Sequence, residues 1–159
     1  MGKASKVGIA ALRTAVTQLG VKEAPPGSNW GPVVKTYLAS VGWYRPAPWC
    51  QAFVHWCFSI NGVGLGGGAS VGNFLEWAKA KGYVVTRPFR GDVVVYNFDE
   101  NDWPDHAGIA ERILSVPGLR KHGLALVIEG NTSLGNDADG GQVQRRTRRL
   151  SRCKFVRIP

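Results

Sequence analysis

The stretch "PWCQAFVHWCF", Pro48 to Phe58, places two cysteines and a histidine within eight residues. Read as a metal box or a disulfide hairpin it would give a small stapled fold; read as a helix it gives a core element with a thiol at one end. Its apolar spacing predicts a helix over 48–60, with Pro48 suited to the first turn. On a helix Cys50 and Cys57 lie about 10 Å apart along the axis, beyond the ~7 Å between Cα atoms that a disulfide can span. A separation of seven also misses the i, i+3 and i, i+4 spacings that bring helical side chains together. His55 points about 140° around the helix from Cys50. Cys50, Phe53, Val54 and Cys57 share a stripe that should face the core, so Cys57 is read as a small buried hydrophobe and His55 as a partly exposed structural residue. Cys153, in the expected last strand, is read like Cys57. Cys50 differs because it sits in the first helical turn, where free N–H groups and the helix dipole stabilise a thiolate, the nucleophilic form of cysteine.

Outward from this helix, Val7 to Leu19 carries Ile9, Leu12, Val16 and Leu19 at helical spacing, stopped by Gly20. Short helices are expected over 33–40 and 71–81. The glycine-rich "NGVGLGGGAS" between them lacks the lysine of a phosphate loop and reads as a flexible connection. After Gly82 the pattern turns to strands: "DVVVYNF", "HAGIAERIL", "LALVIEGN", "GGQVQRRTRRL" and "CKFVRIP". Helices first and antiparallel strands second predict an α+β domain with about five strands, a single unit over 1–159 without a second, separate domain.

The 159 residues carry a net charge of +9, which points to a polyanionic partner. Three cysteines with no CxxC give no disulfide framework. Arg13 interrupts the first apolar run, so no signal peptide is expected, and no stretch reaches the ~18 apolar residues of a membrane span.

A nucleophilic Cys50 needs a base. His122, in "LRKHGL", reads as a surface turn residue. His106 opens the strand "HAGIAERIL", and "LALVIEGN" follows after roughly nine residues, so the two form a hairpin. If Leu114 pairs near Leu124, His106 lies beside Asn131. Glu129 and Asn131 share one strand face. His106 joins that face in one of the two parities, and a one-residue slip reverses it. The candidate cluster is thus Cys50 as nucleophile, His106 as base and later acid, and Glu129 or Asn131 holding the imidazole tautomer.

In sequence the chain resembles the CHAP domain family, the cysteine- and histidine-dependent amidohydrolases and peptidases with a papain-like core, and within it single-domain bacteriophage endolysins. The matching stretches are "GVKEAPPGSN", "PWCQAFVHWCF", "GNFLEWAKAKGY", "RGDVVVY", "WPDHAGIAERI" and "VIEGNTS" with "GG" soon after, in order along nearly the whole chain. The resemblance implies Cys50 as nucleophile, His106 as base, Glu129 as the carboxylate that orients it, and Asn131 as an additional polar residue. It also implies cleavage of an amide bond in peptidoglycan. Trp49 stands where some relatives carry Gln, and "GWYRPAPW" has no carboxylate for the calcium loop some relatives have, so no metal or cofactor is expected. Trp49, Trp103 and Asn29 are candidate substrate contacts.

Arg145, Arg146, Arg148 and Arg149 in "RRTRR" read either as a solvated edge strand, where charge discourages edge pairing, or as contacts to anionic wall polymers. A monomer is expected, made in a host bacterial cytoplasm and acting on the wall after assisted release, without membrane insertion. The rival reading is a basic, non-enzymatic module binding cell wall or nucleic acid.

Overall fold

The computed structural model describes residues 3–114 and 123–159. His122 lies outside the described residues. Helix α1 spans Lys6–Thr17 and starts where the Ser5 hydroxyl accepts a hydrogen bond from the Gly8 N–H at 2.8 Å, an N-cap that satisfies one of the free first-turn amides. Helices α2 (Val34–Ser40), α3 (Cys50–Ser59) and α4 (Val71–Ala80) follow, α4 capped by Ser70 in the same way. None is long and apolar enough to cross a membrane.

The second half forms an antiparallel sheet of six strands: β1 (Val84–Val85), β2 (Val93–Tyr96), β3 (His106–Leu114), β4 (Leu124–Thr132), β5 (Gln142–Arg149) and β6 (Lys154–Val156), in the spatial order β1-β6-β2-β3-β4-β5. All five strands expected from alternation are present. The sixth, β1, has two residues and pairs only with β6, too short to show a period of its own. The α+β class stands.

Alternation divides the sheet into two apolar faces. Val93, Val95, Ala107, Ile109, Ile128 and Val156 join the helices in the main core, while Val94, Tyr96, Ala110, Val127, Leu150 and Phe155 form a second cluster on the other side. Strand β2 is therefore buried along its whole length, matching its continuous apolar run. Helix α3 lies at the centre of the main core, with Phe53, Val54, Cys57 and Phe58 buried. Two local expectations change. The helix begins at Cys50, with Trp49 at the cap position and Pro48 ahead of it. Cys153 precedes β6 rather than lying in it, and is half-buried.

Candidate active site

Cys50 is the first residue of α3. Its amide has no preceding helical carbonyl to bond, and the positive end of the helix dipole converges there. The buried flank of α3 fixes this end against the sheet. The residue is 4% exposed, and Sγ lies 3.9 Å from the carbonyl oxygen of Asp105, immediately before His106. The thiol and the imidazole thus meet where the helix start crosses the beginning of β3.

What brings Glu129 to the same place is an irregularity in the β3–β4 hairpin. Leu114 pairs with Leu124, as expected, and that register holds to Arg112 opposite Leu126. Next, Ala110 pairs with Val127, leaving Glu111 as the extra residue of a β-bulge. The bulge shifts the remaining pairs by one, so Gly108 faces Glu129. Residues directly opposite share a face, and His106, two positions from Gly108, shares it too. Without the bulge, parity would put the imidazole on the other side. Gly108 has a second role: a Cβ there would stand 2.6 Å from Glu129 Cγ and 2.7 Å from Val127 Cγ1, so the glycine leaves the space the carboxylate chain occupies.

His106 and Glu129 are both fully buried, and Nε2 lies 2.9 Å from Glu129 Oε2. Nδ1 has no hydrogen-bond partner, while the Cys50 thiol and Glu129 are the groups that act on the ring. Burial alone would push the imidazole down. The nearby Cys50 thiol and the hydrogen bond to Glu129, with the charges of both, outweigh burial and raise the histidine to about 9. Burial pushes Glu129 up, yet hydrogen bonds from Arg148 and His106, with their charges, hold its carboxyl below the ordinary value. Tyr96 and Phe98 stack against the imidazole, with ring centroids 5.8 Å and 5.6 Å away. A thiol at a helix start, an imidazole with one nitrogen unpartnered, and a carboxylate on its other nitrogen are the groups that thiol acyl transfer uses.

The family model of the CHAP domain matches residues 42–131, more than half of the chain, from just before α3 through β4. The chain belongs to the CHAP domain family. A comparison with curated proteins finds no match. CHAP domains are in general cysteine- and histidine-dependent amidohydrolases or peptidases that act on peptidoglycan, and the matched span contains Cys50, His106, Glu129 and Asn131.

Not every candidate residue joins the cluster in this CHAP domain. Asn131 is buried with φ 55°, but its amide nitrogen donates to Asp139 Oδ1 at 3.1 Å and its oxygen accepts from the Gly141 N–H at 3.1 Å. It ties the end of β4 to the following loop and makes no hydrogen bond to the imidazole. Trp49 is fully buried, packed on Tyr37, with Nε1 donating to Glu23 Oε1 at 2.8 Å. It is a core residue, so the expectation of a surface substrate contact is withdrawn. Asn29 adopts φ 53° beside the same Glu23, donating to it at 3.2 Å and to Asp139 at 3.1 Å; its amide braces the loop. Trp103 is half exposed and lies directly over Gly72 in the first turn of α4, so it alone of these three offers a ring to solvent. Cys57 is buried, and burial pushes its thiol up. His55 is half-buried beside the Ser40 hydroxyl at 3.1 Å, and burial lowers it.

The arginine run divides by parity. Arg145 and Arg149 are exposed, and Arg145 pairs with Glu111 at 2.7 Å. Arg146 and Arg148 turn to the opposite face. Arg146 bonds Asp137 Oδ1 at 2.7 Å and Thr132 Oγ1 at 2.9 Å. Arg148 is buried and grips Glu129 with two nitrogens, Nε to Oε1 at 2.8 Å and Nη2 to Oε2 at 2.6 Å. Contact with wall polymers through Arg146 and Arg148 is therefore overturned: both side chains are already engaged within the fold. Arg148 is the neighbour of the site that reading "RRTRR" as one charged block missed. The available signal was Leu150, whose period-2 relation puts Arg146, Arg148 and a buried leucine on one face.

A groove of about 1170 Å³ lies away from this cluster. It opens beside Arg112 to Leu114, at the end of β3 remote from His106, and Arg87, Arg90, Arg112 and Lys154 line it. These four cations are exposed, and none forms an ion pair with a described residue.

Proposed function

We propose that the chain is a peptidoglycan hydrolase of the phage endolysin type, cleaving an amide bond by a Cys50–His106–Glu129 thiol mechanism. The observation that carries this reading is a buried imidazole with Glu129 on Nε2 and Nδ1 unpartnered, near enough to the Cys50 thiol for the two to interact. In the proposed reaction the Cys50 thiolate attacks the amide carbonyl. The resulting oxyanion is met by N–H groups at the start of α3, including that of Cys50, which no helical carbonyl occupies. The His106 imidazolium protonates the leaving amine as the C–N bond breaks, giving a thioester. Water, deprotonated by the now neutral His106, attacks the thioester and releases the acid and the thiol. Glu129 keeps the imidazole oriented through both steps.

The partner is the bacterial wall. Exposed cations, chiefly those lining the groove with Arg145 and Arg149, attract its anionic polymers. The deciding experiment is digestion of purified peptidoglycan by the wild type and by Cys50→Ala. The expected result is loss of lysis with an unchanged circular dichroism spectrum and melting temperature; lysis that persists in the variant sinks the mechanism. His106→Ala is expected to do nearly as much harm. Mass spectrometry of the digest assigns the bond: freed stem peptides identify an amidase, and cut peptides still on glycan an endopeptidase.

A further inference from the structure

We propose that Arg148 is a positioning residue of this site: it clamps Glu129 and balances its charge, so that the thiolate–imidazolium pair of Cys50 and His106 forms within a buried cluster of zero net charge. The proposal rests on the thiol mechanism above.

The geometry comes first. Arg148 meets Glu129 in a two-point fork, and the oxygen it holds at 2.6 Å, Oε2, is the one His106 uses at 2.9 Å. The carboxylate cannot rotate without breaking one of these contacts, so the imidazole orientation is inherited from the guanidinium. The guanidinium is fixed in turn. Its Nη1 lies 2.8 Å from Asp137 Oδ1, and its plane sits over the rings of Phe98 and Tyr96 at 5.1 Å and 5.6 Å. Those same rings stack on His106.

The charges come second. Arg148 is faced by Glu129 from β4, Asp137 from the loop after β4, and Tyr96 from β2; Cys153, before β6, lies close enough for its charge to count. His106 is faced by Cys50 from α3 and Glu129 from β4, beside Tyr96. Burial, with the Glu129 charge, raises Tyr96 well above its ordinary value and pushes Cys153 up to about 12, so both are neutral in the working range. Asp137 is half exposed and shared with Arg146, which offsets it. That leaves Arg148 positive, Glu129 negative, His106 positive and Cys50 negative when the site is primed. Without Arg148, a thiolate must form beside an uncompensated buried carboxylate, which like-charge repulsion and desolvation oppose.

The test reads Cys50 alkylation by a neutral haloacetamide against pH, followed by mass spectrometry of the Cys50 peptide, so it needs no hydrolysis. Arg148→Met is expected to move the limb of thiolate formation to higher pH by about one unit, and Arg148→Lys by less. Glu129→Gln leaves the arginine uncompensated and is expected to move the limb to lower pH. The double variant Glu129→Gln/Arg148→Met removes both charges and is expected to return the limb toward the wild-type position. With a soluble muropeptide, Arg148→Met is expected to lower kcat more than it raises KM. A purely structural arginine would lower the melting temperature and leave the limb in place. An unmoved or downward-shifted limb in Arg148→Met overturns the proposal, and if that variant does not fold, an unmoved or upward limb in Glu129→Gln does so. If the wild type fails to cut peptidoglycan, the thiol mechanism falls, while the alkylation limbs still report on Arg148.

Discussion

A histidine raised to about 9 beside a thiol has a consequence at the residue scale. The imidazolium that protonates the leaving amine in the proposed mechanism persists through neutral pH and is lost as pH rises through that value. Hydrolysis of a soluble muropeptide is therefore expected to fall on the alkaline side near pH 9, because the acid has gone and not because the fold has failed; activity that keeps rising to pH 10 would exclude this assignment. Stability follows the same proton. The folded value lies above the ordinary 6.5, so the native state binds the proton more tightly than the unfolded chain. That contribution is complete below about 6.5 and is lost as pH rises from there through 9. Urea midpoints are expected to decline across this window, and to decline less in Cys50→Ala, which lacks one of the groups that raise the histidine. The two groups titrate as a coupled pair, so the profile belongs to the cluster. Glu129→Gln is expected to harm hydrolysis less than His106→Ala, since the amide still offers an oxygen to the imidazole N–H.

At the scale of elements, the β3–β4 hairpin decides whether the site exists, and Gly108 tests this. Its missing Cβ leaves the space that the Glu129 and Val127 side chains fill on the opposing strand, with the Ile128 carbonyl oxygen 2.8 Å away as well. Backbone cannot give way as a flexible side chain can. Gly108→Ala is expected to cost about 1–3 kcal/mol in thermal or urea unfolding, and to reduce hydrolysis beyond that loss because Glu129 is displaced from His106. A variant with full activity and an unchanged melting temperature would show that the hairpin adjusts freely. The same hairpin shows what a sequence can and cannot carry. The strands themselves, and the pairing of Leu114 with Leu124, follow from alternation and loop length, and the helices from their apolar period. The parity of His106 does not follow, because it depends on one bulged residue, Glu111, and nothing in "HAGIAERIL" marks which residue is left unpaired. Helical geometry likewise singles out Cys50, since residue number alone sets the angle that turns His55 away and the distance along the axis that removes Cys57 from the helix start. The contacts of Trp49 and Asn131 do not follow from these periods: Glu23 lies 26 residues before Trp49, and Asp139, though only eight residues after Asn131, is brought to it by an irregular loop with no period to read.

For the whole molecule, the net charge of +9 matters less than where the unpaired part of it stands. Arg146 and Arg148 are turned inward, Arg157 is paired with Asp92, and Arg152 with Glu100. Among the exposed cations outside these pairs, which include Lys22, Lys35, Arg45, Lys81 and Arg149, four gather around one groove: Arg87, Arg90, Arg112 and Lys154. That groove opens near Arg112, six residues along β3 from His106 and so roughly 20 Å away. At ~0.15 M salt charges are screened over about 8 Å, so these cations act little on the chemistry of the cluster, and in the proposed function their part is attraction to an extended anionic surface. Wall lysis and hydrolysis of a small soluble muropeptide should therefore respond differently to salt. Raising the ionic strength from 0.05 M to 0.3 M is expected to slow lysis of intact walls on the order of ten-fold, with little change in turnover of the soluble substrate. Replacing all four cations by glutamate is expected to slow wall lysis at low salt and remove most of its salt dependence, again sparing the soluble reaction. Equal salt sensitivity of the two substrates would mean that ionic strength acts on the Cys50–His106 pair itself, and salt-insensitive wall lysis would remove these cations from wall binding.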